Sequence, residues 1–280
     1  MKELHKRILV AFVGIPLIIG IIYFGSLIFT LGIILISSFT IWEFYSIVEK
    51  KNAKPNKLWG SFFNIVFILI TYLGFYSIYF NQILILAIII FIIGALSLQI
   101  FSTNYNAIMN ISATIGGVAY ITLFFICLLL VREFNLFFNS TLKIDPMFLV
   151  YSFIISIWIC DTFAYFIGIK FGKHKLIPHI SPKKSWEGAV AGFIGAIFSM
   201  LLFEHIFLNF GFLNSLFIGI IVGIGGQIGD LAESQLKRDA GIKDSSTILP
   251  GHGGFLDRFD SILFVSPLVL AYLLLLNFFL

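Results

Sequence analysis

Charge is scarce in this chain. Asp, Glu, Lys and Arg make up 11% of its 280 residues. An ordinary soluble domain carries about 25%, so that class is excluded. Cysteine is nearly absent as well. Cys127 and Cys160 both fall inside apolar runs, which leaves no disulfide framework and no cysteine metal site. Strict apolar–polar alternation over ten-residue segments is missing, so a transmembrane barrel is excluded. Internal repeats, a long linker and a separate soluble domain are all lacking. The first apolar run follows Lys2, Lys6 and Arg7, but no small-residue cleavage site follows it. It is expected to stay as a span rather than be removed as a signal peptide.

What the chain does contain is apolar sequence: 59% of its residues are hydrophobic. The mean hydropathy is +1.04. About 20 apolar residues cross the hydrocarbon layer as a helix. The sequence predicts an all-α, polytopic integral membrane protein with about nine transmembrane helices. They fall near 7–25, 27–48, 58–80, 82–101, 111–131, 147–170, 188–209, 213–235 and 259–279.

The cations test this count. With the N-terminus in the cytoplasm, the inside segments and their flanks hold every one of the 18 Lys and Arg residues except Arg132 and Lys143. One span more or fewer in the middle would destroy that asymmetry, so the positive-inside rule supports this orientation. The expected location is the cytoplasmic (inner) membrane, with the C-terminus outside. The net charge of +4 suits an anionic inner leaflet and requires no nucleic-acid partner.

Four polar groups interrupt the apolar background. Asp161, Tyr165, Gly168 and Gly172 recur at helical spacing and share one face of the sixth span. A carboxylate within a span usually faces a cavity or a partner, while the glycines permit close helix packing. The second group is Ser181, Pro182, Lys183, Lys184, Ser185, Trp186, Glu187 and Gly188, expected as a loop. Its lysines and hydroxyls can hold phosphate oxygens, and Ser185 can cap the seventh helix.

The third group ends the eighth span: Gly223, Gly225, Gly226, Gln227, Gly229, Asp230, Glu233, Ser234, Lys237 and Arg238. So many glycines weaken a helix by roughly 1 kcal/mol each and gain close backbone approach in return. The fourth runs from Pro250, Gly251, His252, Gly253 and Gly254 to Asp257, Arg258 and Asp260. A Gly-rich turn can present amides to a phosphate. Carboxylates one helical turn apart are the ligands Mg²⁺ prefers, one or two at a time, together with substrate phosphates. Glu43 and the Glu204–His205 pair lie near span ends, where acids more often pair than catalyse.

Together these residues resemble the phosphatidate cytidylyltransferase family, which makes CDP-diacylglycerol. Ser234, Lys237, Arg238, Lys243, Asp244, Ser246, Leu249, Pro250, His252, Gly253, Gly254, Asp257, Arg258 and Asp260 fill its signature without a gap. Asp161 and Tyr165, and the run from Ser181 to Gly188, also look like the family's pattern; Glu43 is similar to an acid that recurs there. The resemblance implies a nine-span membrane enzyme, often a homodimer, that joins CTP and phosphatidate and releases pyrophosphate. By analogy Asp230 and Asp257 would hold Mg²⁺, with Asp260 as ligand or orienter and K⁺ beside them. Lys237, Arg238, Lys243 and Arg258 would be phosphate clamps, and Lys183, Lys184 and Ser185 a second clamp. Ser181, Glu187, Asp244, His252, Gly253 and Gly254 join the expected substrate site, which Asp161 and Tyr165 would line. Residues 1–110 would shape a lipid-side cavity. Residues 111–280 would form the catalytic region, with cytoplasmic loops 171–187 and 236–258.

Two other readings stay open on the residues alone. Asp161 and Asp230 near a Gly-broken helix could form a transporter's cation site, although no inverted repeat is visible. A related transferase acting on another lipid phosphate would share the nucleotide chemistry.

Overall fold

The computed structural model describes residues 3–102, 106–138, 140, 142–249, 251 and 253–279, with side chains from residue 10 onward. Helices dominate, in the order α1 (Glu3–Phe24), α2 (Ser26–Glu49), α3 (Lys57–Gly74), α4 (Phe80–Ile100), α5 (Ala107–Gly117), α6 (Leu123–Arg132), α7 (Phe134–Phe138), α8 (Pro146–Phe171), α9 (Trp186–Phe203), α10 (Phe212–Asp239) and α11 (Leu256–Phe279). A π-helical turn at Val118–Thr122 joins α5 to α6, and a second at Glu204–Leu208 extends α9.

Among the described residues, eight helices are long and apolar enough to cross a membrane, and Val10–Phe24 is a shorter apolar helix before them. The chain is therefore an all-α polytopic membrane protein, with eight spans plus that shorter first helix where nine were expected. Several details differ from expectation. The third span stops at Gly74 rather than 80, and Gly74 lies against the Phe80 ring as the chain turns into α4. The eighth runs on to Asp239, so Lys237 and Arg238 are helical. The expected loop at Ser181 is a strand. β1 (Lys175–Ile177) and β2 (Ser181–Ser185) form an antiparallel hairpin with Lys175 opposite Ser185.

The chain folds as two compact units. The first comprises residues 1–129 and 236–258, the second 130–235 and 259–280.

In the first unit, α2 is well buried and α4 sparsely so: only Ala87, Phe91 and Ala95 of α4 are buried. The contact between α2 and α3 is polar as well as apolar. Asn64 donates to Ser37 at 2.9 Å and accepts from Thr122 at 2.8 Å. These buried groups satisfy one another, which a lipid-immersed bundle requires because unpaired polar atoms in hydrocarbon are costly. The Tyr45 hydroxyl donates to the Thr114 carbonyl at 2.9 Å and ties α2 to α5.

In the second unit, the glycines of α10 account for its packing. Gly219 and Gly223 lie against Ile197 and Phe193 of α9; Gly225 and Gly229 lie against Leu268 and Phe264 of α11. Ser261 donates to the Gly226 carbonyl at 3.0 Å. Gln227 donates to the carbonyls of Ala189 and Gly223 at 3.1 and 2.8 Å. The expected exchange of helix propensity for close approach is observed on two sides of one helix. Cys127 and Cys160 are buried and free, as a packing role requires.

Candidate active site

The hairpin before α9 sets the first cluster, in the second unit. Ser185 caps α9 by accepting from the Gly188 amide at 3.2 Å, as expected. Gly168 of α8 and Gly172, which follows its last residue, leave room for its hydroxyl, and a Cβ at Gly172 would overlap it. Glu187 braces the residue that precedes β1: it lies 2.6 Å from His174 Nδ1 and accepts from the His174 amide. These contacts hold β2 at the head of the helix. Consecutive strand residues point to opposite faces, so Lys183 and Lys184 diverge. Lys183 is exposed and Ser181 half-buried. Lys184 forms an ion pair with Asp230 Oδ2 on α10. The other Asp230 oxygen accepts from Ser234 at 3.3 Å. Both charged side chains are about a third exposed, at 30% and 31%.

Asp161 and Tyr165 lie on α8 in the same unit. Both are exposed, Tyr165 at 63%. Asp260 is buried at the start of this unit's part of α11, where its Oδ1 accepts from the Ser261 amide at 2.6 Å.

The second cluster belongs to the first unit and consists of the signature segment. Lys237, in the last turn of α10, donates to Asp257 Oδ1 at 2.5 Å. Both side chains are nearly buried, at 10% and 6%. Asp257 Oδ2 accepts from the Ser245 amide at 2.9 Å, the Ser245 hydroxyl at 2.9 Å and the Gly254 amide at 2.8 Å. The chain closes on itself through an isolated bridge between Leu249 and Gly253. Gly253 has φ +80° and its α-carbon faces Asp257, so a side chain there is excluded twice over. Arg238 donates to the Ile242 carbonyl at 2.9 Å and closes the end of α10. Lys243, Asp244 and Arg258 are exposed. Pro250 and His252 lie outside the described residues.

An acid expected only to pair near a span end is central to this cluster. Glu43 of α2 is 1% exposed and lies against the signature segment. It accepts from Ser245 Oγ at 2.9 Å, Ser246 Oγ at 2.5 Å, the Phe255 amide at 3.0 Å and the Leu256 amide at 2.8 Å. The sequence signal was an acid within an otherwise uncharged span. Glu204, the other acid set aside, does pair structurally: it accepts from the Phe210 and Gly211 amides and from Ser215.

Among the described residues, no three His, Cys, Asp or Glu side chains gather as a metal-holding group. Each unit taken by itself offers a carboxylate of the kind a hard cation takes. Mg²⁺ commonly takes one or two carboxylates and completes its shell with water and substrate phosphate. Asp230 and Asp257 each present one oxygen whose partner is a lysine ammonium, a group able to swing away on its flexible stem.

The sequence model described as "Cytidylyltransferase family" matches residues 5–276. The chain is 41% identical over 177 residues to a phosphatidate cytidylyltransferase of Staphylococcus haemolyticus strain JCSC1435. It is 39% identical over 175 residues to that of Staphylococcus aureus strain COL, and 39% identical over 177 residues to that of Staphylococcus epidermidis strain ATCC 35984. In each case the aligned stretch spans 62% of this chain and 63% of the relative.

Proposed function

Since the chain belongs to the cytidylyltransferase family, we propose that it transfers a cytidylyl group from CTP to phosphatidate. A phosphate oxygen of the lipid attacks the α-phosphorus of CTP. The bond from that phosphorus to the bridging oxygen of the β-phosphate breaks, and CDP-diacylglycerol and pyrophosphate result. The nucleophile is already anionic near neutral pH and needs no strong base. The barrier is the approach of one anion to another, and fixed cations relieve it.

The observation that carries this reading is a lysine–carboxylate pair in each unit, one of them within the signature. Lys237 rests on Asp257 and Lys184 on Asp230. A triphosphate offers each ammonium a richer set of oxygens. A lysine turning from carboxylate to phosphate keeps its charge compensated and clamps the substrate. Lys183, Ser185, Arg238, Lys243 and Arg258 add donors and positive charge. Mg²⁺, when bound, supplies Lewis-acid stabilisation of charge on the α-phosphate and the departing pyrophosphate. Asp230 and Asp257 are its proposed donors, Asp260 a ligand or orienter, and K⁺ an accessory ion. Ser181, Glu187, Asp244, His252, Gly253 and Gly254 are proposed to shape the nucleotide site, and Asp161 and Tyr165 its lipid side. The cation asymmetry supports an inner-membrane orientation with the signature in the cytoplasm, where CTP is dissolved. A homodimer is the proposed assembly.

The test is turnover by purified protein in detergent, with phosphatidate, Mg²⁺ and CTP labelled at the α-phosphate. Label in the lipid phase is expected. A folded protein that leaves the label in water would reject phosphatidate as acceptor.

A further inference from the structure

We infer that Glu43 is a positioning residue that sets the signature segment, and through Ser245 the carboxylate of Asp257. The inference rests on the proposed cytidylyl transfer only for its kinetic consequence; its structural consequence stands alone. Four donors lie within hydrogen-bond distance of the almost fully buried Glu43, the single Ser245 hydroxyl proton being shared with Asp257. None of these donors is a cation. Two are hydroxyls of the loop that follows α10, and two are amides at the start of α11. A carboxylate before the first turn of a helix meets its unpaired N–H groups and its positive dipole end. Glu43 does this from α2, 213 residues away from Leu256 along the chain.

Its partners are also those of Asp257. The Ser245 hydroxyl stands 2.9 Å from Glu43 Oε2 and 2.9 Å from Asp257 Oδ2. The backbone of Gly254 donates to Asp257 and passes so close to Glu43 that a Cβ there would meet both of its carboxylate oxygens. Asp257 therefore depends on α2 as well as on its own helix. Residues that orient a ligand of a metal or a reacting group commonly cost 10–100-fold in affinity or activity when changed.

The experiment compares wild type with Glu43→Gln, Glu43→Asp and a control, Glu49→Gln, on the same helix. Glu49 is an exposed acid paired with Lys57. Hydrogen exchange in detergent reads the segment 242–257 directly and needs no turnover. Glu43→Gln should raise exchange at the Ser245, Gly254 and Leu256 amides and leave α3 and α5 unchanged. In turnover its kcat should fall roughly 10–100-fold with the KM for phosphatidate within about twofold. Glu43→Asp should recover part of kcat, and Glu49→Gln should match wild type. If Glu43→Gln does not yield folded protein, Ser246→Ala removes one donor and should shift exchange and kcat in the same direction by less. Wild-type exchange in the signature segment of either variant would overturn the inference. So would a loss confined to KM. A wild type without lipid label would reject phosphatidate as acceptor, and the exchange data would still decide the role of Glu43.

Discussion

Lys237 and Asp257 are joined by a hydrogen bond of 2.5 Å, and both side chains are almost removed from solvent. A buried pair of this kind tolerates the loss of both partners better than the loss of one. Removing one leaves an uncompensated charge, at a cost of about 3–5 kcal/mol. Asp257→Asn should therefore abolish turnover and lower the melting temperature in detergent while the protein still inserts. The double change Lys237→Met with Asp257→Asn should melt above the sum of the single effects. Additive melting shifts across that cycle would show that the pair carries no coupling.

Lys184 and Asp230 make the opposite case. Their pair is about a third exposed, and such pairs contribute about 0–1 kcal/mol. Lys184→Met should leave the melting temperature within a few degrees. Its kcat/KM for CTP should still fall, by about 100-fold if the lysine meets developing charge. A drop in stability without a drop in rate would make Lys184 a structural brace only.

Gly254 and Gly116 give a matched contrast. A Cβ at Gly254 would collide with Ser245 and Glu43, whereas at Gly116 it would meet nothing within 4 Å. Gly254→Ala should destabilise by about 1–3 kcal/mol and reduce turnover sharply. Gly116→Ala, inside α5, should be neutral or stabilise by up to about 1 kcal/mol. Chemical denaturation of the two variants side by side reads both effects.

Chelation tests the proposed cation. EDTA should stop label transfer, and Mg²⁺ added back should restore it. Adding K⁺ at constant ionic strength should raise the rate relative to Na⁺. Undiminished turnover in EDTA would remove Asp230, Asp257 and Asp260 from the role of metal ligands.

The spans were legible because each is a long apolar run, and hydropathy records that directly. The cap at Ser185 and the packing role of the α10 glycines were legible because both are local: a hydroxyl before a helix, small residues at helical spacing. Lys184 was visible as a cation, but its division from Lys183 was not. That division follows from β2, a strand too short to announce itself by alternation. Glu43 was visible as an acid, but its place in the signature segment was not. Its four donors lie more than 200 residues downstream, so no window of sequence around it contains the reason for its burial. Glu204 looked equivalent, and its partners lie within eleven residues. Two acids with the same local signal thus differ by what a distant segment brings to one of them.

The sparse burial of α4 has a consequence for how this protein can vary. Only Ala87, Phe91 and Ala95, four residues apart, are buried along that helix. The Phe91 carbonyl also accepts from the Trp59 indole at 3.0 Å, through backbone that no substitution removes. Most other positions ask only for compatibility with hydrocarbon, a demand that Ile, Leu, Val and Phe meet alike. A saturation library across 80–100 should therefore show a four-residue rhythm of constraint, and a demand for glycine at Gly94 where a Cβ would meet the Trp59 ring, over a background of interchangeable letters. Two proteins of this kind could share almost no identity across that helix and still place it in the same way.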